Sequence, residues 1–152
     1  MFQKGFYSRM KSWKEILRIR VRLADRQQVQ GKMGRAVMLG FTVTCESMAF
    51  NGKVLEGGID TQIQLEGEPL HLSARYIMRG TDLSGRPCSI FIENNGIAAE
   101  DGRIQTKPRI FTDSDALSYL ETAELRGSVS EGDQPGDVDI VIEMAGTEGE
   151  QE

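Results

Sequence analysis

Residues 15–24 admit one regular conformation. Leu17, Ile19, Val21 and Leu23 hold one parity, and Arg18, Arg20 and Arg22 hold the other. A period of two puts each set on its own face of a β-strand, whereas a helix would scatter both sets around its circumference. The alternation recurs down the chain. Val37, Leu39, Phe41, Val43 and Cys45 alternate within 36–50, and Leu70, Leu72, Ala74, Tyr76 and Met78 within 70–80. Cys88, Ile90, Ile92 and Asn94 do so within 88–96, as do Val138, Ile140, Ile142 and Met144 within 137–145. Shorter runs at 53–66, 103–111 and 122–130 read as strands too.

The connections are short. Asn51-Gly52 predicts a two-residue hairpin turn, since both residues tolerate positive φ. Asp25–Arg35, with Gly31 and Gly34, reads as a loop. Gly40 inside a strand predicts a bend or bulge. The Gly57-Gly58 pair predicts a bulge that re-aims Asp60. Beyond the bulge, Ile59, Thr61, Ile63 and Leu65 are expected to face one way, with Gln62, Gln64 and Glu66 opposite. Thr112 or Ser114 caps a helix of one or two turns over Asp115–Leu120.

Eight antiparallel strands in sequence order close into an up-and-down barrel, with one short helix. The fold class is therefore all-β, and an open two-sheet sandwich is the alternative. A chain of 152 residues makes one domain. Its expected bounds are 15–145, with a flexible or helical leader over 1–14 and a frayed acidic tail over 146–152.

A net charge of −5 gives no reason to expect nucleic acid. The charge is uneven: residues 1–35 carry ten of the 18 Lys and Arg, against two acids, Glu15 and Asp25. Barrel closure explains this, because it sets Arg18, Arg20 and Arg22 beside Asp137, Asp139 and Glu143 of the last strand. Cys45 and Cys88 lie in apolar runs, form no metal-ligand spacing and read as small buried hydrophobes. The N-terminus has no apolar signal core, and no run reaches membrane-spanning length. With reduced thiols, these features place the protein in the cytoplasm.

Three segments carry a resemblance. They are FNGKVLEGGID from Phe50, LSARYIMRGTDLSGRPCSIFIENNG from Leu72, and IQTKPRIFTDSDALSYLETAELRG from Ile104. In order they give a glycine pair before an Asp, a Tyr-bearing strand, a D-x-x-G turn, an aliphatic strand ending near Gly, a T-x-P segment and a short helix. This order resembles the domain of unknown function 3237 family, the UPF 0311 proteins, over roughly residues 15–145. Leu120 follows Tyr119 where many members carry Trp. The resemblance implies a small bacterial antiparallel barrel of the lipocalin or streptavidin type, often oligomeric, and no established reaction.

A barrel of this size is either filled by side chains or holds one small ligand. Leu17, Phe41, Ile63, Met78, Ile90 and Ile140 are the inward residues expected to fill it. Tyr76, Asn94 and Thr106 are polar residues on apolar faces. Each is either satisfied within the core or part of a ligand pocket. Asp60 falls on the polar face with Gln62 by simple alternation, or turns into the barrel mouth at the glycine bulge. In the mouth, a partly desolvated carboxylate could serve as a base. Arg75 pairs with Glu93 across adjacent strands or holds an anionic group at the rim. Asp82 reads as an Asx-turn residue and His71 as exposed. No catalytic triad, phosphate loop or metal spacing is visible, and no cofactor is expected.

The sequence therefore reads as a barrel binding a small, largely apolar ligand through Asp60, Arg75, Tyr76, Asn94 and Thr106. The alternative is a cofactor-free isomerase or cyclase with Asp60 as acid and base, Tyr76 as hydroxyl partner and Arg75 as anion stabiliser. A second alternative is an assembly module with a filled barrel. A homo-oligomer is compatible with each.

Overall fold

The alternating runs form nine antiparallel strands in one sheet that closes on itself. The computed structural model describes residues 11–54 and 57–147. The strands are β1 (Lys11–Gln30), β2 (Gly34–Glu46), β3 (Phe50–Val54), β4 (Gly58–Leu65), β5 (His71–Asp82), β6 (Pro87–Ala98), β7 (Ile104–Thr112), β8 (Leu125–Glu131) and β9 (Asp137–Thr147). A short 3-10 helix spans Asp115–Glu121 between β7 and β8.

The count is nine, not eight, because β3 and β4 share one stave of the barrel. Both pair with β2 on one side and with β5 on the other. Between them the chain gains two residues: Phe41 to Cys45 on β2 spans four steps, while Gly58 back to Gly52 spans six. An even insertion preserves parity, so the face that carries Phe50 and Val54 continues through Gly58, Asp60 and Gln62.

Closure is made by β1, which pairs with β2 on one edge and β9 on the other. The register places Ile19 against Ile140, with Arg20 opposite Asp139 and Arg22 opposite Asp137. On the outer face Arg20 reaches Asp139 at 3.5 Å and Arg22 reaches Asp137 at 3.3 Å. The two expected partners left over pair elsewhere: Arg18 with Glu15 at 2.8 Å and Glu143 with Arg126 at 2.9 Å.

Several boundaries differ from the sequence expectation. Lys11–Lys14, expected in the leader, belong to β1 and pair with β9; residues 1–10 lie outside the described residues. Gly146 and Thr147, expected in the tail, belong to β9. Gly146 pairs with Ser12 in the ladder, and 148–152 lie outside the described residues. The loop expected over 25–35 shrinks to Gly31–Met33, since β1 crosses a bulge between Leu23 and Arg26 and runs on to Gln30. Gly40 sits beside that bulge, nearest to Asp25. The hairpin turn falls before Asn51-Gly52, where the Ser47 N–H donates to the Phe50 carbonyl at 3.0 Å. Gly52 is a strand residue, and its missing side chain lets the Phe50 ring lie over the backbone.

The barrel interior is filled unevenly. At one end Leu17, Ile19, Phe50, Met78, Ile90 and Ile142 are fully buried, and the 3-10 helix closes that end with Leu117 and Leu120. Ser114 is the helix cap: its Oγ accepts from the Leu117 N–H at 3.2 Å and donates to Asp82 Oδ2 at 2.6 Å. Asp82 also accepts from the Ser84 hydroxyl and from the Ser84 and Arg86 amides. These donors, Ser114 first, hold its carboxyl down to about 2. The Asx turn expected at Asp82 thus also anchors the helix.

β3 and β5 meet at a glycine pair, Gly52 opposite Gly80. A Cβ on Gly80 would lie 1.8 Å from the Asn51 carbonyl oxygen. Gly80→Ala is expected to destabilise the fold by about 1–3 kcal/mol through forced strand separation. Urea denaturation against the parent measures the loss.

Candidate functional site

The end of the barrel away from the helix is not filled. A cavity of about 180 Å³ lies there, walled by Val21, Leu23, Leu39, Phe41, Leu72, Ala74, Ile104, Val129, Val138 and Ile140. Its polar lining is Asp60, Gln62, Asn94 and Thr106. Phe41, Asn94 and Thr106 are buried, while Leu39, Leu72, Ile104 and Val129 are half-buried. Burial therefore falls towards the hairpins at this end, which marks the mouth.

Register explains how the polar groups meet. Asp60 faces Ala74, and Ala74 faces Asn94. Only a methyl group stands between the carboxylate and the amide along that row. In the next row Thr106 lies between Gly96 and Gly127. A Cβ on Gly96 would come within 2.7 Å of Thr106 Cγ2, and one on Gly127 within 2.2 Å of Thr106 Oγ1. The two glycines clear the space that the threonine side chain occupies.

Among the described residues, three oxygens of this lining have no partner although each is buried: Asp60 Oδ1, Asn94 Oδ1 and Thr106 Oγ1. The other Asp60 oxygen accepts from Gln62 Nε2 at 2.9 Å. Burial pushes the Asp60 carboxyl above its ordinary value, opposed by Gln62 and by the backbone at Ser73. Buried polar groups in folded proteins are normally hydrogen-bonded, so a set of three without partners is an exception that calls for a reason.

The structure sorts the sequence candidates. Asp60, Asn94 and Thr106 come together in the cavity. Tyr76 does not line it: its ring lies deeper, edge-on to Phe41 with centroids 5.5 Å apart. The Tyr76 hydroxyl is buried without a partner, and burial raises its pKa. Arg75 stands on the outer wall, where it meets Glu93 at 2.9 Å, and Arg109 meets the same carboxylate at 2.8 Å. The cross-strand alternative therefore holds for Arg75. It also borders a larger outer depression of about 840 Å³, floored by Met38, Ile59, Ile63 and Ile97. That depression lies on the outer wall, whereas the three partnerless oxygens above line the cavity within the barrel.

One expectation reverses. Ile63 is expected inward, with Ile59 and Leu65 on its face, yet all three project from the outer face, Ile59 at 38%, Ile63 at 45% and Leu65 at 48% exposure. Gln62, assigned to the opposite face, lines the cavity with Asp60. Parity carried from Phe50 and Val54 across the even insertion identifies both. Gly96 and Gly127 carried no sequence signal, because their role depends on which residue lies opposite them.

The pH dependence follows from the raised Asp60 pKa. A carboxyl whose folded value exceeds its unfolded value of ~3.9 contributes stability that is complete below that value. The contribution is lost as pH rises through the folded value. Asp60→Asn is therefore expected to melt above the parent at neutral pH, with the gap closing below about pH 4. Melting temperatures of both proteins across that range check the sign.

Comparison with known proteins agrees with the geometry. The family model described as protein of unknown function (DUF3237) matches residues 12–120. A UPF0311 protein of Clostridium acetobutylicum is 54% identical over 48 residues, which is 32% of this chain and 28% of that relative's length. Among solved structures, a protein described as of unknown function from C. acetobutylicum superimposes with a TM-score of 0.76 at 23% identity, covering 91% of this chain and 99% of the other. A β-barrel-like protein from Acinetobacter baumannii gives 0.70 at 14% identity, over 90% and 97%. An enzyme from Penicillium herquei gives 0.65 at 11% identity, over 88% and 94%. These structures share the fold, and the model match over most of its length makes this chain a member of the DUF3237 family.

Proposed function

We propose that this protein binds a small, largely apolar ligand in the open half of its barrel. One observation carries the reading: three buried oxygens without protein partners face a single aliphatic cavity. An apolar pocket with a few convergent polar groups is the usual form of a small-molecule site. The filled end supports the same reading, since a rigid plugged half holds the cavity walls in register. Arg75 and Tyr76 take supporting places in it, Arg75 bracing the outer wall and Tyr76 forming part of the floor beneath Phe41. Buried, unpaired Cys45 and Cys88 suit work in a reducing cytoplasm.

A second reading, a cofactor-free isomerase or cyclase in the same cavity, is favoured by Asp60. Its carboxyl is shifted towards neutrality and keeps one oxygen free to take a proton. A fold neighbour from Penicillium herquei is described as an enzyme, although fold likeness alone does not transfer an activity.

Native mass spectrometry of the protein purified from its own host tests the binding reading. A stoichiometric small molecule is expected in the wild type and none in Ala74→Leu, which fills the space between Asp60 and Asn94. Equal carriage in both proteins would place the molecule outside the barrel. If the molecule recovered is converted on incubation, the enzyme reading expects Asp60→Asn to lower kcat rather than KM alone. Loss confined to KM would leave Asp60 a binding group.

A further inference from the structure

We propose that the ligand is a small primary amine, held as its ammonium ion, with an apolar body about the size of one ring. This rests on the binding reading above. Charge selects the sign. Among the described residues that line the cavity, Asp60 is the only one with an ionisable side chain, and no Lys, Arg or His joins it. Arg75, one strand away, is on the outer face and engaged by Glu93. A bound anion would meet Asp60 with no opposing charge, whereas a cation supplies the partner that a buried carboxylate requires.

Donor count selects the group. In the cavity lining, the atoms without a partner among the described residues are Asp60 Oδ1, Asn94 Oδ1 and Thr106 Oγ1. The Asp60 carboxylate and Asn94 amide oxygens only accept and the Thr106 hydroxyl can accept as well as donate, and a primary ammonium carries three N–H donors and no acceptor. Gln62 Nε2 donates to the other Asp60 oxygen at 2.9 Å and reaches none of these three. The placement is built for approach. Ala74 is the only side chain between Asp60 and Asn94 in their row, and Gly127 holds open the position that both Thr106 and Asn94 reach.

Volume selects the body. The cavity of about 180 Å³ is otherwise lined by aliphatic groups and Phe41. An apolar protein cavity of ~150 Å³ accepts benzene, so one ring with a one-carbon arm and an amine suits the space.

The test uses benzylamine, benzyl alcohol and benzoate, three probes of similar shape and different charge. Each is titrated calorimetrically at neutral pH into the full chain, Asp60→Asn and Ala74→Leu. The expected result is saturable binding of benzylamine, benzyl alcohol at least about tenfold weaker, and no binding of benzoate, the tenfold reflecting a charge-assisted against a neutral hydrogen bond. Asp60→Asn should lower benzylamine to the level of benzyl alcohol, and Ala74→Leu should abolish both. Benzyl alcohol binding as well as benzylamine, or a preference for the amine that survives Asp60→Asn, overturns the amine assignment and leaves the barrel site standing. Absence of binding by all three, or heat that persists in Ala74→Leu, overturns the barrel site as well. Should Asp60→Asn fail to fold, the ratio of benzylamine to benzyl alcohol in the parent decides the question alone.

Discussion

The β1–β9 ladder is the contact on which the rest of the molecule depends. A sheet of this width left open would expose two rows of unpaired backbone groups. Closing it joins the first described residues to the last and creates an interior. The register of that seam is fixed from within by Ile19 against Ile140 and from outside by Arg20 and Arg22 against Asp139 and Asp137. A slip of one residue would turn Leu17, Ile19 and Val21 to solvent and bring the arginines into the core. The seam is thus specified twice, by burial and by charge, although exposed pairs of this kind each add little to stability.

Closure alone does not make a cavity, because a barrel of eight staves can fill itself with side chains. Here the two ends differ. The helix end holds Phe50, Met78 and the plug residues Leu117 and Leu120. At the other end the inward positions of β4, β5 and β6 are Asp60, Gln62, Leu72, Ala74 and Asn94, and Gly96 and Gly127 add no volume. The small and polar residues concentrate on these strands, facing the aliphatic wall of the cavity. The ordered turn at Asp82 lies at the plugged end, where Ser114 and Ser84 tie it to the helix. Rigidity at one end leaves space at the other in a fixed shape.

Most of this plan was legible in alternation. The inward sets of β1, β2, β5, β6 and β9 are those the period of two assigns, and Asn94 and Thr106 stand out there as polar residues on apolar faces. The Arg75–Glu93 pair was legible as a cross-strand alternative. What misled was hydrophobicity in β4. Ile59, Ile63 and Leu65 form the stronger apolar set, so polarity assigns them inward, yet the barrel turns them out and takes Asp60 and Gln62 in. Backbone pairing fixed this choice, because β4 inherits its parity from β3 across an even insertion, and its side chains have no say in it. The Asn51-Gly52 turn failed for a related reason. Gly52 is needed for close approach to Gly80 and the Phe50 ring, a demand that only the partner strand reveals.

The inversion in β4 has a physical consequence for the apo protein. Placing Asp60 and Gln62 inside while three aliphatic residues face solvent lowers stability on both sides of one strand. Each buried oxygen without a protein partner costs of the order of 1–3 kcal/mol. A sequence selected for stability alone would exchange the two faces, and a single-residue change in the insertion would do it. The even insertion keeps the less stable arrangement. Such a departure from the stability optimum is what a site requires when its polar groups are meant for a partner from outside the chain. The parity of β4 then accounts for Asp60 inside and for the aliphatic residues outside, while Asn94 and Thr106 join Asp60 from β6 and β7. Asp60 and its neighbours inside are short of donors, and Ile59, Ile63 and Leu65 outside are short of apolar cover.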